Sequence, residues 1–313
     1  MPLHFERLEG MTPVADTFAA FFGNLPLSFW LDRESHLTDA FSVIGTGIQI
    51  PASELTELSQ IKNYFSDSTS GSELPFSFRP GIVGVLNYES VLSSKGIGDF
   101  LAVDRAIVFD HKKRNMYFVG EFASRADFDF WYHAALLRLA LLGGDSRNFQ
   151  LEYPAATAAK LVAEQSRDQY IASIEEAQQH IADGDVYQLC LTNRISGEYT
   201  GNTLSYFLRL RKTHRAPYAS YIKTSERTYV SLSPERFLTV ANGKALSTPI
   251  KGTRPRSSDP QEDAELKSQL ELDPKERAEN LMIVDLIRND LAMVCDAESV
   301  SVEKLLEVVS YST

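Results

Sequence analysis

The sequence predicts a fold that mixes α and β structure, and three observations carry that expectation. Short apolar runs such as Ile82-Val83-Gly84-Val85-Leu86-Asn87-Tyr88 and Arg105-Ala106-Ile107-Val108-Phe109 are rich in β-branched and aromatic residues and read as strands. Stretches with apolar residues three and four apart, such as residues 126–142, read as helices. The pair Asn242-Gly243 between two strand-like runs marks a hairpin, because both turn positions need φ > 0. With 313 residues and 43% hydrophobic composition the chain can bury a large core and has the length of two domains.

In chain order, Leu27-Ser28-Phe29-Trp30-Leu31-Asp32 reads as a core strand, followed by the two runs just named. The basic group His111-Lys112-Lys113-Arg114 between strand-like segments reads as a solvated turn. Turn residues at 143–147 and the low-complexity run at 154–159 mark a linker. The expected division is therefore a first domain over 1–150, a linker over 151–165 and a second domain over 166–313. Ser166 and Gln169 stand at capping-box spacing, and Tyr170, Ile174, Ala177 and Ile181 share one helical face, predicting a helix that ends near Gly184. Beyond it Tyr187, Leu189, Leu191 and Ile195 alternate with Gln188, Cys190, Thr192 and Arg194, which predicts a strand with a polar face. Residues 236–241 and 244–248 flank the hairpin turn, and Asp273-Pro274 with Glu276 opens a helix that runs to about Ala292. The last residues, 306–313, read as a further strand.

Composition narrows the function. A formal net charge of -11 leaves no sequence-wide basic field for nucleic acid. Cys190 and Cys295 are far apart with no second pair, so neither a disulfide framework nor a zinc cluster is expected, and a reducing compartment fits. The N-terminus lacks a signal-peptide pattern, and the apolar stretch of residues 134–142 is broken by Arg138 and too short to span a bilayer. These features predict a cytoplasmic protein.

The chemistry centres on Pro249-Ile250-Lys251-Gly252-Thr253. A lone lysine is ordinarily a solvated charge, but this one follows a hairpin whose other strand begins at Glu235-Arg236. Glu235 and Lys251 thus come to the same end of two paired strands. A plain two-residue hairpin sets Lys251 opposite Pro234 and Glu235 opposite Ile250, leaving the two charged groups on different faces. Sharing one site requires a bulge or an extra loop residue, and Pro249, which cannot donate to a ladder, is one place for it.

On the helix opened by Asp273, Glu279, Ile283, Leu286 and Asp290 share a side at 100° per residue. Glu279 and Asp290 are about 16 Å apart along the axis, too far to hold one ion, so each is at most a single metal ligand or one member of an ion pair.

Four ordered motifs carry a resemblance: residues 184–194, Ser233-Pro234-Glu235-Arg236-Phe237, Pro249-Ile250-Lys251-Gly252-Thr253, and residues 275–290. In order and spacing they resemble the chorismate-utilising enzymes. The resemblance implies an α+β fold, a sandwich of antiparallel sheets with outer helices, incomplete at the C-terminus. It makes residues 1–150 similar to the N-terminal domain of anthranilate synthase component I, and residues 166–313 a partial chorismate-binding catalytic domain. Lys251 resembles the branch that forms 4-amino-4-deoxychorismate on the way to para-aminobenzoate and folate, where anthranilate-forming relatives carry alanine. Isochorismate-forming relatives place a lysine where this chain has Gln188. Trp30-Leu31-Asp32-Arg33 replaces the Leu-Leu-Glu-Ser pattern of tryptophan-regulated anthranilate synthases.

The resemblance further implies Lys251 as nucleophile and Glu235 as general acid. It implies Gly252, Thr253 and Gln188 at the substrate, and Glu279 as a ligand of Mg²⁺. An amine attacks only when deprotonated and a carboxyl donates only when protonated, so both call for a partly buried setting. The resemblance also implies ammonia from a glutamine amidotransferase, either a separate subunit or a fused domain; nothing in this sequence resembles one, since neither cysteine sits in a nucleophile-elbow context. In the family the domain continues beyond the strand at residues 306–313 with a histidine, a glycine-rich loop, an arginine and a second magnesium-binding glutamate. The chain is therefore expected to lack part of its active site and to leave sheet edges or core surface uncovered. Two other readings stand beside the aminodeoxychorismate-forming one: an anthranilate synthase component I, and a chorismate-fold module without catalysis.

Overall fold

A computed structural model of the chain describes residues 1–64, 74–88, 97–144 and 160–311. Contacts divide the chain into two compact units, residues 1–150 with 207–313, and residues 151–206. The sequence boundary expected at 151–165 falls at one edge of that division, and residues 151–159 of it lie outside the described residues. The other edge, between residues 206 and 207, carried no sequence signal.

The larger unit is built on a seven-stranded antiparallel sheet. Its strands are β1 (Leu3–Glu9), β2 (Ser28–Asp32), β3 (Phe41–Gly45), β7 (Arg105–Asp110), β8 (Asn115–Glu121), β11 (Tyr218–Lys223) and β12 (Thr228–Ser233), in the order β1-β8-β7-β3-β2-β11-β12. A three-stranded antiparallel sheet of β4 (Ile48–Ile50), β5 (Gly81–Leu86) and β6 (Gly98–Val103) packs on one face, in the order β4-β6-β5. Period-2 alternation sends Phe29, Val43, Val108 and Ile222 into that interface, where they meet Val83, Leu101 and Val103.

The opposite face is covered by helices. The Phe18 ring of α1 (Val14–Phe21) lies tilted 36° against Trp30 at 5.4 Å, and Phe207 of α4 (Thr203–Thr213) meets the same ring edge-on at 5.3 Å. Tyr132 of α2 (Arg125–Gly144) meets Phe118 edge-on at 5.1 Å. Trp30, Phe18, Phe207 and Phe118 are all fully buried, each worth about 1.5–3 kcal/mol of burial. The expected α+β sandwich of antiparallel sheets with outer helices is what the chain forms. The basic group at residues 111–114 makes the β7–β8 turn, with Arg114 at φ 55°.

In the smaller unit, β9 (Val162–Ala163) pairs with β10 (Ile195–Ser196), and α3 is Arg167–Asp183. The predicted capping box is present: the Ser166 hydroxyl accepts from the Gln169 amide and the Gln169 side chain accepts from the Ser166 amide. Gly184, at φ 81°, closes the helix in the left-handed conformation. The strand predicted over residues 187–195 is not formed beyond the short β10. In its place the Asn193 side chain bonds the Gln165 backbone, accepting from its N–H at 3.0 Å and donating to its carbonyl at 3.0 Å, as a neighbouring strand would.

The larger unit continues with the hairpin β13 (Arg236–Ala241) and β14 (Lys244–Thr248), then α5 (Pro260–Leu272) and α6 (Pro274–Val294). Neither helix contains a fully buried residue. Large apolar side chains stand in solvent here, among them Phe237 (87% exposed), Val240 (70%) and Val294 (81%). Residues 301–311 make no backbone-to-backbone hydrogen bond with any described residue, so the strand predicted from residue 306 is not formed there; residues 312 and 313 lie outside the described residues. A run with strand character needs a neighbouring backbone to pair with, and here the Tyr311 carbonyl accepts from the Arg256 side chain at 2.6 Å.

Candidate functional site

The site is laid out by the β13–β14 hairpin. Asn242 and Gly243, at φ 51° and 71°, form the tight turn that the sequence marks. The ladder pairs Ala241 with Lys244 and Thr239 with Leu246, then slips by one residue so that Arg236 pairs with Thr248. The bulge that the shared-site reading requires is therefore present, but in β13 around Phe237-Leu238 and not at Pro249. Continuing the shifted register sets Glu235 opposite Pro249, which brings Glu235 and Lys251 onto one face.

Local hydrogen bonds fix that approach. The Ser233 hydroxyl accepts from the Glu235 amide at 3.2 Å and donates to the Glu235 carbonyl at 3.0 Å, tightening the turn between β12 and β13. The Glu235 carboxylate then accepts from the Ile250 amide at 3.1 Å, one residue before Lys251. Lys251 is half-buried and makes no hydrogen bond or ion pair with any described residue, so its amine is available. Glu235 is exposed, which departs from the partly buried setting expected for an acid.

Lys251, Gly252 and Thr253 line a cavity of about 1300 Å³ together with Arg254, Glu276 and Asn280. More of its wall comes from β13, β14, α5, α6 and residues 299–311, with His36 and Tyr218 also lining it. That volume exceeds the several hundred Å³ that a small ligand needs.

The loop after Lys251 rests on the start of α6. Gly252 adopts φ 79°, and a Cβ built on it falls 2.8 Å from Oε2 of Glu276. Arg254 donates to Asp273 at 2.6 Å and to the Thr253 carbonyl at 2.9 Å, and stands 3.7 Å from a Glu276 oxygen. Asp273 is the N-cap of α6, accepting from the Lys275 and Glu276 amides at 3.0 and 3.2 Å. The Glu276 amide, with the Lys275 amide and the Arg254 cation adding to it, holds the Asp273 carboxyl below the usual aspartate range.

Neither Glu235 nor Glu279 is among the residues that line that cavity. Glu279 is half-buried on α6 beside the lining residues Glu276 and Asn280, and Gln188 lies in the other compact unit. The apolar side expected for Glu279 and Asp290 is largely solvated, with Leu286 40% exposed and Asp290 exposed, so burial imposes no cost on Asp290. Asp285 pairs with Arg288 at 2.9 Å on the surface, a contact worth about 0.3–0.5 kcal/mol. Among the described residues no three acidic, histidine or cysteine side chains converge on a metal position. Glu279 fits a one-carboxylate share of a Mg²⁺ site, since that ion keeps most of its waters and takes further oxygens from substrate.

Sequence reasoning missed Arg254 and Glu276. The signal was present in Asp273-Pro274, which fixes where α6 begins and hence which of its residues face the loop after Lys251. The same Asp-Pro signature at 259–260 opens α5, which was also missed.

Residues 34–313 match the family model described as chorismate binding enzyme. The chain is 32% identical to an aminodeoxychorismate synthase of Streptomyces pristinaespiralis, covering 99% of this chain and 49% of that protein. It is 31% identical to aminodeoxychorismate synthase component 1 of Escherichia coli (strain K12), covering 77% of this chain and 52% of that protein. The chain thus spans about half the length of these curated relatives. Among solved structures, anthranilate synthase component I from Streptococcus pneumoniae TIGR4 is similar, with a TM-score of 0.66 at 24% identity, covering 99% of this chain and 66% of that one.

Proposed function

Since the chain belongs to the family of chorismate binding enzymes, we propose that it is the chorismate-converting part of an aminodeoxychorismate synthase, in which Lys251 is the nucleophile. The observation that carries this reading is the half-buried amine of Lys251 in the cavity wall, with the Glu235 carboxylate bonded one residue away. Relatives at 31–32% identity that bear the synthase name support it.

In the proposed reaction the Lys251 nitrogen bonds to ring position two of chorismate. Both ring double bonds shift, and the hydroxyl at position four leaves as water with a proton from Glu235. Ammonia then adds at position four and gives up a proton that restores Glu235, both double bonds shift back, and the lysine nitrogen departs from position two, regenerating the amine. Glu235 needs the cover of bound substrate for this role, because it is exposed in the free chain. Gly252, at φ 79°, lets backbone approach a substrate carboxylate, and the Thr253 hydroxyl has room to donate there. Gln188 and Glu279 enter on the resemblance, Gln188 at the substrate and Glu279 as a ligand of Mg²⁺. That ion, when bound, would neutralise the ring carboxylate.

A glutamine amidotransferase would supply the ammonia, and a cytoplasmic location in the route to para-aminobenzoate and folate completes the proposal. Both cysteines are free and exposed, and among the described residues no helix is long and apolar enough to cross a membrane. The alternative of an anthranilate synthase is not favoured, because Lys251 stands where those relatives carry alanine. A module without catalysis would have no use for an available amine next to a carboxylate. Mass spectrometry of the products from chorismate, Mg²⁺ and ammonium tests the reading. Lysine-dependent aminodeoxychorismate supports it, anthranilate overturns it, and no turnover by folded protein supports an incomplete or non-catalytic chain.

A further inference from the structure

The segment that carries Lys251 is held on both sides, on one by the proposed acid Glu235 and on the other by Arg254 and Asp273, which have no assigned role in the chemistry. On its N-terminal side the Ile250 amide donates to Glu235 at 3.1 Å. On its C-terminal side Arg254 divides its donors, one to the Thr253 carbonyl at 2.9 Å and one to Asp273 at 2.6 Å. Asp273 divides its oxygens as well. Oδ1 accepts the two α6 amides and Oδ2 accepts Arg254, so one carboxylate both starts the helix and holds the loop.

We propose that Arg254 is a positioning residue, which through Asp273 fixes the Lys251 amine relative to the first turns of α6. Those turns carry Glu276, which packs against Gly252, and Glu279 one turn further on. A planar guanidinium suits the task because it serves two acceptors in a fixed fork, whereas an ammonium gives neither the plane nor the spread. The side chain is 30% exposed and its Asp273 partner 26%, enough shielding for the pair to be held while the loop above stays accessible. Without the grip, residues 251–253 depend on the single Ile250 bond and on Gly252, the residue with the greatest backbone freedom.

The inference rests on Lys251 as the reacting group, so its test joins one readout that needs turnover to one that does not. In the full chain, Arg254→Ala and Asp273→Asn are compared with Arg254→Lys and Lys251→Ala. Asparagine preserves the helix cap, so Asp273→Asn isolates the loss of the ion pair from unfolding. Arg254→Ala and Asp273→Asn should speed amide hydrogen exchange at residues 250–254 by about tenfold or more while α3 is unchanged. They should lower kcat by about 10–100-fold with KM for chorismate within about threefold, the pattern of a misplaced group. Arg254→Lys should recover part of both effects. Unchanged exchange in Arg254→Ala overturns the proposal, and so does a raised KM at constant kcat, which would make Arg254 a substrate contact. Full activity in Lys251→Ala would instead refute the reading of the reaction, and the exchange comparison would still decide whether Arg254 holds the loop.

Discussion

Replacing Gly252 by alanine perturbs a backbone position where the Lys251 loop meets α6, and its cost can be worked from two local facts. The residue sits at φ 79°, where an L-residue with a Cβ is disfavoured by about 1–2 kcal/mol. The added methyl would fall 2.8 Å from Oε2, 3.1 Å from Cβ and 3.2 Å from Cδ of Glu276. The carboxylate end can swing away, but the Cβ belongs to the helix and can give only a few tenths of an ångström. Turning the Glu276 side chain off its rotamer adds about 0.5–1.5 kcal/mol, for a total of about 1.5–3.5 kcal/mol. Urea denaturation of Gly252→Ala and the parent chain reads this cost globally, and hydrogen exchange at residues 250–254 reads it locally. Pairing the change with Glu276→Ala should recover about 1 kcal/mol, because only the backbone penalty and a mild Cβ contact remain. A Gly252→Ala chain within about 0.5 kcal/mol of the parent, with unchanged local exchange, would refute the packing of this loop on α6.

Other outcomes follow from the same structure. Trp30→Ala removes a fully buried ring packed by Phe18, Phe207 and the Arg211 guanidinium, and should cost about 3–5 kcal/mol in chemical denaturation. Gly243→Val places a β-branched residue at φ 71° and should reduce both stability and Lys251-dependent turnover, as read by a product assay beside a denaturation curve. Burial pushes the His111 imidazole below its ordinary value of 6.5, outweighing Glu34, Asp32 and Asp110, while Arg211 adds to the lowering. Its folded form thus binds fewer protons than the unfolded chain, so its stabilising contribution is present above about pH 6.5 and is lost as pH falls through the folded-state value. His111→Gln should flatten the stability profile between about pH 7 and 5, and a profile with unchanged slope would contradict this.

What was legible in the sequence is what short-range chemistry fixes. Asn242-Gly243 specifies a turn because few other pairs tolerate two positive φ angles. Ser166 with Gln169, and Asp273 ahead of Pro274, announce helix starts because their side chains satisfy amides only two or three residues away. Lys251 and Glu235 could be placed together for the same reason, since a hairpin of known turn fixes which residues face each other. The slip at Phe237-Leu238 was legible only as a requirement, because nothing in the apolar pair says which strand takes the extra residue. Long-range partners were not legible. The pairing of β11 with β2, residues 218–223 against 28–32, depends on the packing of the whole sheet and left no local mark. The run from Tyr187 to Ile195 alternates as a strand does, yet Asn193 bonds to Gln165 through its side chain and a ladder forms only from Ile195 on. Arg254 and Glu276 were passed over because their importance lies in what a helix start places beside Gly252, and composition is blind to such a contact.

The most direct test is to incubate the chain with chorismate and Mg²⁺ without ammonium, then map the peptides by mass spectrometry. The account predicts an adduct of chorismate less one water on Lys251 that is discharged to aminodeoxychorismate when ammonium is added. Turnover with no adduct at Lys251, or the same product from Lys251→Ala, would contradict it.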